Sequence, residues 1–463
     1  MELLKQQVIG VIGPQSTSVS HFVAHMGAAT QVPLLSFACT DPALSEFQYP
    51  YFFRIAHSDA VQMQAIASLI GSYGWREVVS LYTDDDFGSN GAAALSDALE
   101  PVGSRLVQKI ALVPGIDKTT IGSILAGLAA MQTRVFVVHM PQNLSLLLFS
   151  EAEFLGMMSS GYVWIMSDST AGTLGSSEVD TGVFNTLQGV IGIRGYYAQD
   201  SLQLQAFLSK WNNQSLLEES TLQFPIYGLY AYDATWMLAR AIDSYLKDGF
   251  NFSFKDPDLL PVDAGGGSEL AQMKVFEGGA LLRSSILRTQ FSGASGYIQV
   301  NSKGDLMRTA FEIVNVVGGK LHVVGYWTNE TQLSTFPPGN VSEIIVDSLD
   351  TGKPQTSLQI LWPGNTSEIP RGWVLPKNGR PLKIGVPKKA GFNQFISWSS
   401  TNSSNNTVFR GFCIDIFMDA LKYLPYSIPY NFVLYGNDST PVYDDMIEQL
   451  AEEVWLVKKR KLK

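Results

Sequence analysis

Through the first 330 residues, short apolar runs alternate with stretches of helical periodicity, and this narrows the possible folds most. The runs Val8–Ile12, Val32–Phe37, Tyr51–Ile55, Val78–Tyr82, Val135–His139 and Tyr162–Met166 are rich in Val, Ile, Leu and aromatic residues. They do not alternate with polar residues, as a strand with one wet face would, so they read as strands buried on both faces. Between them, Met63, Ile66, Ala67, Ile70 and Tyr73 keep the i, i+3, i+4, i+7 spacing of one helix face, with Asp59 placed as an N-cap. Further helices are predicted over Gln142–Met157 and Gly228–Leu246. Strands and helices alternating at this length make βαβ units, hence an α/β fold with doubly wound sheets.

The pattern then changes. Tyr297–Val300, Ala310–Val316 and Leu321–Trp327 read as consecutive strands, joined by a polar turn at Asn301–Asp305 and by Gly318-Gly319. Residues 329–380 are rich in Pro, Gly, Ser, Thr and Asn without sustained periodicity, which predicts a linker. A strand at Leu382–Val386 and a helix over Gly411–Leu424, with Ile414, Phe417, Met418 and Leu421 on one face, open a second α/β domain over 381–452. Residues 453–463 carry Lys458, Lys459, Arg460, Lys461 and Lys463; we read them as a divergent basic tail rather than a nuclear-localisation signal.

Composition excludes several classes. A net charge of −10 speaks against a nucleic-acid footprint on the body of the chain. Cys39 and Cys413 cannot make a disulfide framework. Nine Asn-x-Ser/Thr sequons, at Asn143, Asn213, Asn251, Asn329, Asn340, Asn365, Asn402, Asn405 and Asn437, indicate a chain built for the secretory route. Met1-Glu-Leu-Leu-Lys does not open a signal peptide, and no uninterrupted apolar window of about 18 residues is present to span a bilayer. Two expectations remain at this point: a cytosolic chain whose sequons are idle, or a piece of a larger membrane protein that has lost both ends.

The chemistry concentrates near the start. Val8-Ile-Gly-Val-Ile-Gly-Pro-Gln-Ser-Thr-Ser-Val-Ser20 is a strand, a Gly-Pro bend and a cluster of hydroxyls at a helix start. Free backbone N–H groups beside Ser16, Thr17 and Ser18 would receive an anion such as an amino-acid carboxylate; ordinary N-capping by a hydroxyl explains the same residues without a ligand. Ser36-Phe-Ala-Cys-Thr-Asp-Pro42 follows the next strand, placing the Ala38 carbonyl and Thr40 at the carboxyl edge of the same sheet. His21 and His25 share a helix face, but with no third ligand in the sequence they read as a surface pair rather than a zinc site. Asp84-Asp-Asp86 reads as a solvated loop facing the cleft rather than a cation site. Gly265-Gly-Gly267 lacks the Lys-Ser/Thr of a phosphate loop, and no Gly-x-Ser-x-Gly elbow is present. No cofactor is expected, and no trio of residues supports an enzyme.

In order, Gly-Pro-x-Ser, Val32-Pro-Leu-Leu-Ser-Phe-x-x-Thr-Asp-Pro42, Phe52-x-Arg54, Tyr73-Gly-Trp75, Tyr230-Ala-Tyr-Asp-Ala-Thr-Trp236 and Gly293-Ala-Ser-Gly-Tyr-Ile-Gln-Val300 resemble the type I periplasmic-binding-protein family, to which receptor extracellular domains belong. Arg371-Gly-Trp-Val, Leu382-Lys-Ile-Gly-Val-Pro387 and Gly411-Phe-Cys-Ile-Asp-Ile-Phe417 look like the start of the agonist-binding domain of plant glutamate-receptor-like channels. The resemblance covers residues 1 to about 452. It implies a two-lobed clamshell over 1–328, with lobe one formed by 1–57 and 196–296 and lobe two by 58–195 and 297–328. It also implies that both ends are cut short and that no pore is present. In amino-acid-binding relatives the matching cleft residues are Thr17, Ala38, Thr40, Asp59, Phe87 and Asp168, with Ser18 beside Thr17. Thr17 and nearby N–H groups would hold an α-carboxylate; Thr40, the Ala38 carbonyl and Asp168 an α-ammonium, with Asp59 close by; Phe87 would cover the ligand. The implied partners are an amino acid or small peptide and other receptor subunits, paired through lobe-one faces as a dimer of dimers.

Overall fold

The computed structural model describes residues 6–44, 48–174, 181–217, 226–256, 273–307, 309–338, 358–374, 382–387, 394–400, 407–422 and 430–435. The chain forms two compact units, Met1–Val374 and Leu375–Lys463.

In the first unit the chain begins in one lobe with β1 (Val11–Ile12), α1 (Thr17–Thr30), β2 (Leu34–Ser36) and β3 (Phe52–Arg54). These strands make a parallel three-stranded sheet in the order β1-β2-β3. The chain crosses to a second lobe through α2 (Asp59–Ser72), β4 (Glu77–Thr83), α3 (Asp86–Leu99), β5 (Arg105–Leu112), α4 (Lys118–Ala129), β6 (Val135–His139), α5 (Gln142–Phe154), β7 (Val163–Met166), α6 (Asp168–Leu174), α7 (Thr181–Thr186) and β8 (Ile191–Gly195). It returns to the first lobe with α8 (Leu202–Leu217), α9 (Ile226–Lys247), β9 (Phe254–Lys255), β10 (Val275–Phe276), α10 (Gly279–Arg288), β11 (Gln290–Ser292) and β12 (Tyr297–Gln299). It ends in the second lobe with β13 (Ala310–Val317), β14 (Lys320–Thr328) and β15 (Gln332–Ser334). There an eight-stranded sheet runs β15-β14-β13-β8-β7-β6-β4-β5, parallel from β8 to β5 and antiparallel over the β13–β15 meander.

Why the strand runs do not alternate is now visible. Val135 and Val137 of β6 pack with α2 residues Met63, Ile66 and Ile70, while Phe136 and Val138 pack with Ile121 and Leu125 of α4 and Leu148 of α5. Both faces of the sheet are covered, so successive side chains must all be apolar. Each such buried side chain stabilises the fold by about 1.5–3 kcal/mol. The strand β5, at one edge of the sheet, departs from this: half of its residues are exposed, and Arg105, Gln108 and Lys109 break any apolar run.

Two segments depart from the expected boundaries. β12 pairs with β11 as a hairpin rather than with β13, and Ile298, Val300 and Leu306 pack with Phe53, Ile55 and Met237 in the first lobe. The third crossing therefore follows residue 307 rather than residue 296. The expected linker is also partly structured, because 358–374 lies along the second lobe: Leu358, Ile360 and Trp362 join its core. Trp362 sits 5.3 Å from Tyr73 and 5.6 Å from Trp75 between ring centroids, and the Trp75 indole N–H donates to the Pro370 carbonyl at 2.8 Å.

One close approach fixes the start of α3. Asp85 is its N-cap, and its side chain accepts the Gly88 N–H at 2.8 Å. A Cβ on Gly88 would stand 1.9 Å from the Thr83 carbonyl oxygen, which is backbone and cannot swing aside. Gly88→Ala is expected to destabilise the chain by about 1–3 kcal/mol by forcing α3 off β4. Gly127→Ala, where nothing lies within 4 Å, is expected to leave stability equal or slightly raised. Thermal unfolding midpoints of the two variants check both.

Of the sequons, Asn143, Asn251, Asn329 and Asn365 are exposed, and Asn213 lies in α8. Asn340, Asn402, Asn405 and Asn437 lie outside the described residues, as do Gly265–Gly267 and the basic tail.

The second unit pairs β16 (Leu382–Pro387) in parallel with β19 (Tyr430–Tyr435), beside an antiparallel hairpin of β17 (Ser397–Ser400) and β18 (Thr407–Arg410). Its helix α11 (Phe412–Lys422) sets Phe417 5.3 Å from Tyr430 and 5.7 Å from Phe432 between ring centroids. This is again α/β.

Candidate ligand-binding cleft between the lobes

In the second lobe the strand order reverses between β4 and β6, so the connections leaving those strands diverge and open a crevice at their carboxyl ends. The loops after β4, β6 and β7 and those after β1 and β2 of the first lobe converge on one cavity of about 330 Å³. All seven residues singled out from the sequence (Thr17, Ser18, Ala38, Thr40, Asp59, Phe87 and Asp168) line it.

On the first-lobe wall, Ser16 occupies the N-cap position of α1 without a side-chain cap bond; its hydroxyl meets that of Ser18 at 3.0 Å instead. A helix leaves its first backbone N–H groups without intrahelical acceptors, and here no hydroxyl takes their place. This wall presents the positive end of a helix dipole. Thr17 is buried, its hydroxyl 3.5 Å from the Cys39 sulfur and so beside Ala38 and Thr40. The loop bearing Thr40 is held by Arg54, itself 1% exposed. Arg54 donates to the carbonyls of Cys39 at 3.1 Å and Leu44 at 3.2 Å, and also to that of Asp41, while pairing with Asp305.

The floor is a chain of hydrogen bonds that crosses between lobes. Thr40 donates its hydroxyl proton to Asp59 at 2.7 Å, and the Gln62 amide donates to the other Asp59 oxygen at 2.8 Å. Gln62 accepts the Asp168 backbone N–H at 2.6 Å. Asp168 in turn accepts the Gly195 N–H at 3.0 Å and the Tyr227 hydroxyl at 3.3 Å. With its proton committed, Thr40 offers the cavity a lone pair, which suits an ammonium rather than a carboxylate. Asp59 is fully buried behind Thr40 and Gln62 and acts on the cavity through them. It is not the N-cap of α2; Ser58 is, accepting the Ala60 N–H at 3.3 Å, which frees Asp59 to turn inward.

Burial raises the Asp59 carboxyl to about 7, against the lowering pull of Thr40, Arg54 and Gln62. Burial likewise raises Asp168 to about 6. His139 is driven down to about 4 by burial. It lies 3.6 Å from Asp59, too far for a hydrogen bond, and burial favours the neutral form of both, so they form no ion pair. The Phe87 ring packs 4.2 Å from the His139 ring between centroids.

Sequence reading missed Gln62 and Tyr227. Gln62 had a signal, standing one helical turn after Asp59; Tyr227 had none, because it reaches Asp168 only through the return of α9 to the first lobe. His21 and His25 flank Tyr49, each within 3.2 Å of its hydroxyl, and His21 also meets Asp41 at 2.7 Å. No group of metal-ligating side chains is found among the described residues. Asp84, Asp85 and Asp86 are exposed.

Residues 1–319 match the family described as receptor family ligand binding region. The chain is 36% identical over 459 residues to glutamate receptor 3.1 of Oryza sativa subsp. japonica, a match covering 98% of this chain and 48% of that protein. It is 36% identical over 461 residues to glutamate receptor 3.4 of Arabidopsis thaliana, covering 98% of this chain and 46% of that protein. To glutamate receptor 2.2 of Arabidopsis thaliana it is 32% identical over 459 residues, covering 97% of this chain and 48% of that protein. The chain thus spans about half the length of the curated relatives it matches. No helix among the described residues is long and apolar enough to cross a membrane. With a receptor ligand-binding region over most of its length and plant glutamate receptors as relatives along nearly all of it, the chain belongs to the plant glutamate-receptor-like family, a family of receptors and not of enzymes.

Proposed function

We propose that the cleft binds an α-amino acid or a short peptide and that its closure on the ligand is the sensing event. The observation that carries this reading is the pairing of opposite electrostatics across one cavity. Open helix N–H groups at Thr17 and Ser18 lie on the first-lobe wall with the Thr40 lone pair beside them, and Asp168 lines the same cavity from the second lobe. A zwitterion satisfies both at once. A ligand that touches both lobes binds the closed arrangement better and shifts the hinge toward it. In the parent protein that shift would bias a cation channel at the plasma membrane, with the cleft on the extracellular side and the pore outside this chain.

Isothermal calorimetry of the chain against the common amino acids tests the reading: saturable heat is expected with at least one of them. Thr40→Ala is expected to weaken it roughly 10–100-fold, since a hydrogen bond to a charged group is worth about 1.5–3 kcal/mol. Unchanged affinity in that variant, or no heat with any amino acid, rejects the reading.

A second reading, a subunit-assembly domain with an empty cleft, is favoured by one observation: Val19 and Phe22 of α1 are 49% and 59% exposed on the first lobe. Ligand-independent dimerisation in sedimentation equilibrium, abolished by Phe22→Ser in a chain that gives no amino-acid heat, would support it.

A further inference from the structure

We infer that this cleft selects a basic amino acid, of the arginine or lysine kind, and turns away an acidic one. The inference rests on the amino-acid reading above and deepens it. The site stands on the cavity and its polar walls; the charges around it decide which side chain it admits.

Among the described residues that line the cavity, Asp59, Asp85, Asp86 and Asp168 are carboxylic acids and none is Lys, Arg or His. The head group of an amino acid is neutral as a zwitterion, and the walls already described serve both of its charges. That leaves Asp85 and Asp86, exposed at the second-lobe rim, without a role in holding the head. Asp85 spends one oxygen on the Gly88 N–H. Arg54 and Arg194, whose charges act on Asp59 and Asp168, are paired with Asp305 and Glu312. A ligand side chain reaching the rim therefore meets Asp85 and Asp86 with no Lys, Arg or His among the described lining residues. A second carboxylate is repelled there, and a guanidinium or ammonium finds partners.

The aromatic face agrees. Phe87, next in sequence to Asp86, lines the same cavity, and a cation over its ring is attracted by the ring quadrupole. What packs against that ring is His139, which burial keeps neutral, so no positive charge behind the ring opposes one in front of it. At about 330 Å³ the cavity is at the small end of ligand pockets and sized for one amino acid.

The test is calorimetry of the whole 463-residue chain at near-neutral pH with L-arginine, L-glutamine and L-glutamate, which share a head group and differ in side-chain charge. Arginine is expected to bind at least about tenfold more tightly than glutamate, with glutamine between, and added salt should narrow the gap. The Asp85→Asn/Asp86→Asn double variant keeps an N-cap side chain, since Asn caps as well as Asp. It is expected to bring arginine down to the affinity of glutamine and to raise glutamate. If that variant folds poorly, Asp86→Asn alone, at an exposed position that is not the cap, should shift the ranking in the same direction. Glutamate binding as tightly as arginine, or a ranking unmoved by these variants, overturns the inference and leaves the amino-acid reading standing. Heat from another amino acid but from none of these three overturns the inference alone; heat from no amino acid overturns both.

Discussion

Trp362→Ala is expected to lower the stability of the first unit by about 3–5 kcal/mol, the loss seen when a large buried aromatic is cut back in a packed core. Trp362 is 1% exposed and wedged between Tyr73 and Trp75 at the end of α2. Those rings sit where the chain turns from α2 into β4, so a void there loosens the helix that carries Asp59 and Gln62 as well as the strand beneath it. The segment is tied down by backbone as well: the Arg134 N–H donates to the Gly372 carbonyl and the Val374 N–H to the Gln132 carbonyl, at 2.9 and 2.8 Å. Urea unfolding followed by circular dichroism checks it, with the midpoint falling at constant slope. Trp373→Ala is the control: half exposed, it should cost under about 1 kcal/mol, as surface changes do. A Trp362→Ala loss no larger than the control's would mean that 358–374 merely drapes over the lobe.

This segment also shows where sequence reading stops. The β–α alternation is legible because a strand covered on both faces must be apolar along its buried length, as Val135–Val138 is. The loops at the carboxyl ends of those strands were legible for the same reason, since fixing the strands fixes where the hydroxyls of Thr17 and Thr40 emerge. Residues 358–374 carry no such period, because they dock through separate anchors, Leu358, Ile360 and Trp362, and through backbone bonds to partners more than two hundred residues away. The resemblance places Asp59 in the cleft, but local pattern alone makes it the cap, since Ser58 and Asp59 are equally good caps and only the folded hinge decides which turns inward. Tyr227 was illegible because the reason for its position, a bond to Asp168, exists only once the chain has crossed between lobes twice.

Ligand binding is expected to weaken as pH falls from 7.5 to 5, by roughly 10–100-fold, because in the proposed pose Asp168 meets the ligand's ammonium directly, Asp59 acts on it through Thr40, and both carboxyls titrate in that window. Burial holds Asp59 at about 7 and Asp168 at about 6, both raised from the ordinary carboxylate value. An ammonium favours their ionised forms, so at low pH the ligand must displace protons to bind. The ligand's own α-carboxylate and α-ammonium do not titrate between pH 5 and 7.5, which leaves the change to the protein. The sign for the free chain is the reverse. A carboxyl whose folded pKa lies above its unfolded value near 4 contributes stability that is present at acid pH and lost as pH rises through 6 and 7. His57 and His139, both lowered to about 4 by burial, oppose this, since they remove stability as pH falls below about 6.5. Free-chain stability therefore mixes two slopes, whereas the shift in melting temperature on adding ligand cancels the histidines, which stay neutral in both states down to pH 5. That shift should be larger at pH 7.5 than at pH 5, and Asp168→Asn should flatten the lower part of the profile while leaving the upper part, set by Asp59 behind Thr40, in place. Equal ligand-induced shifts at the two pH values would mean that neither carboxyl meets the ligand's charge.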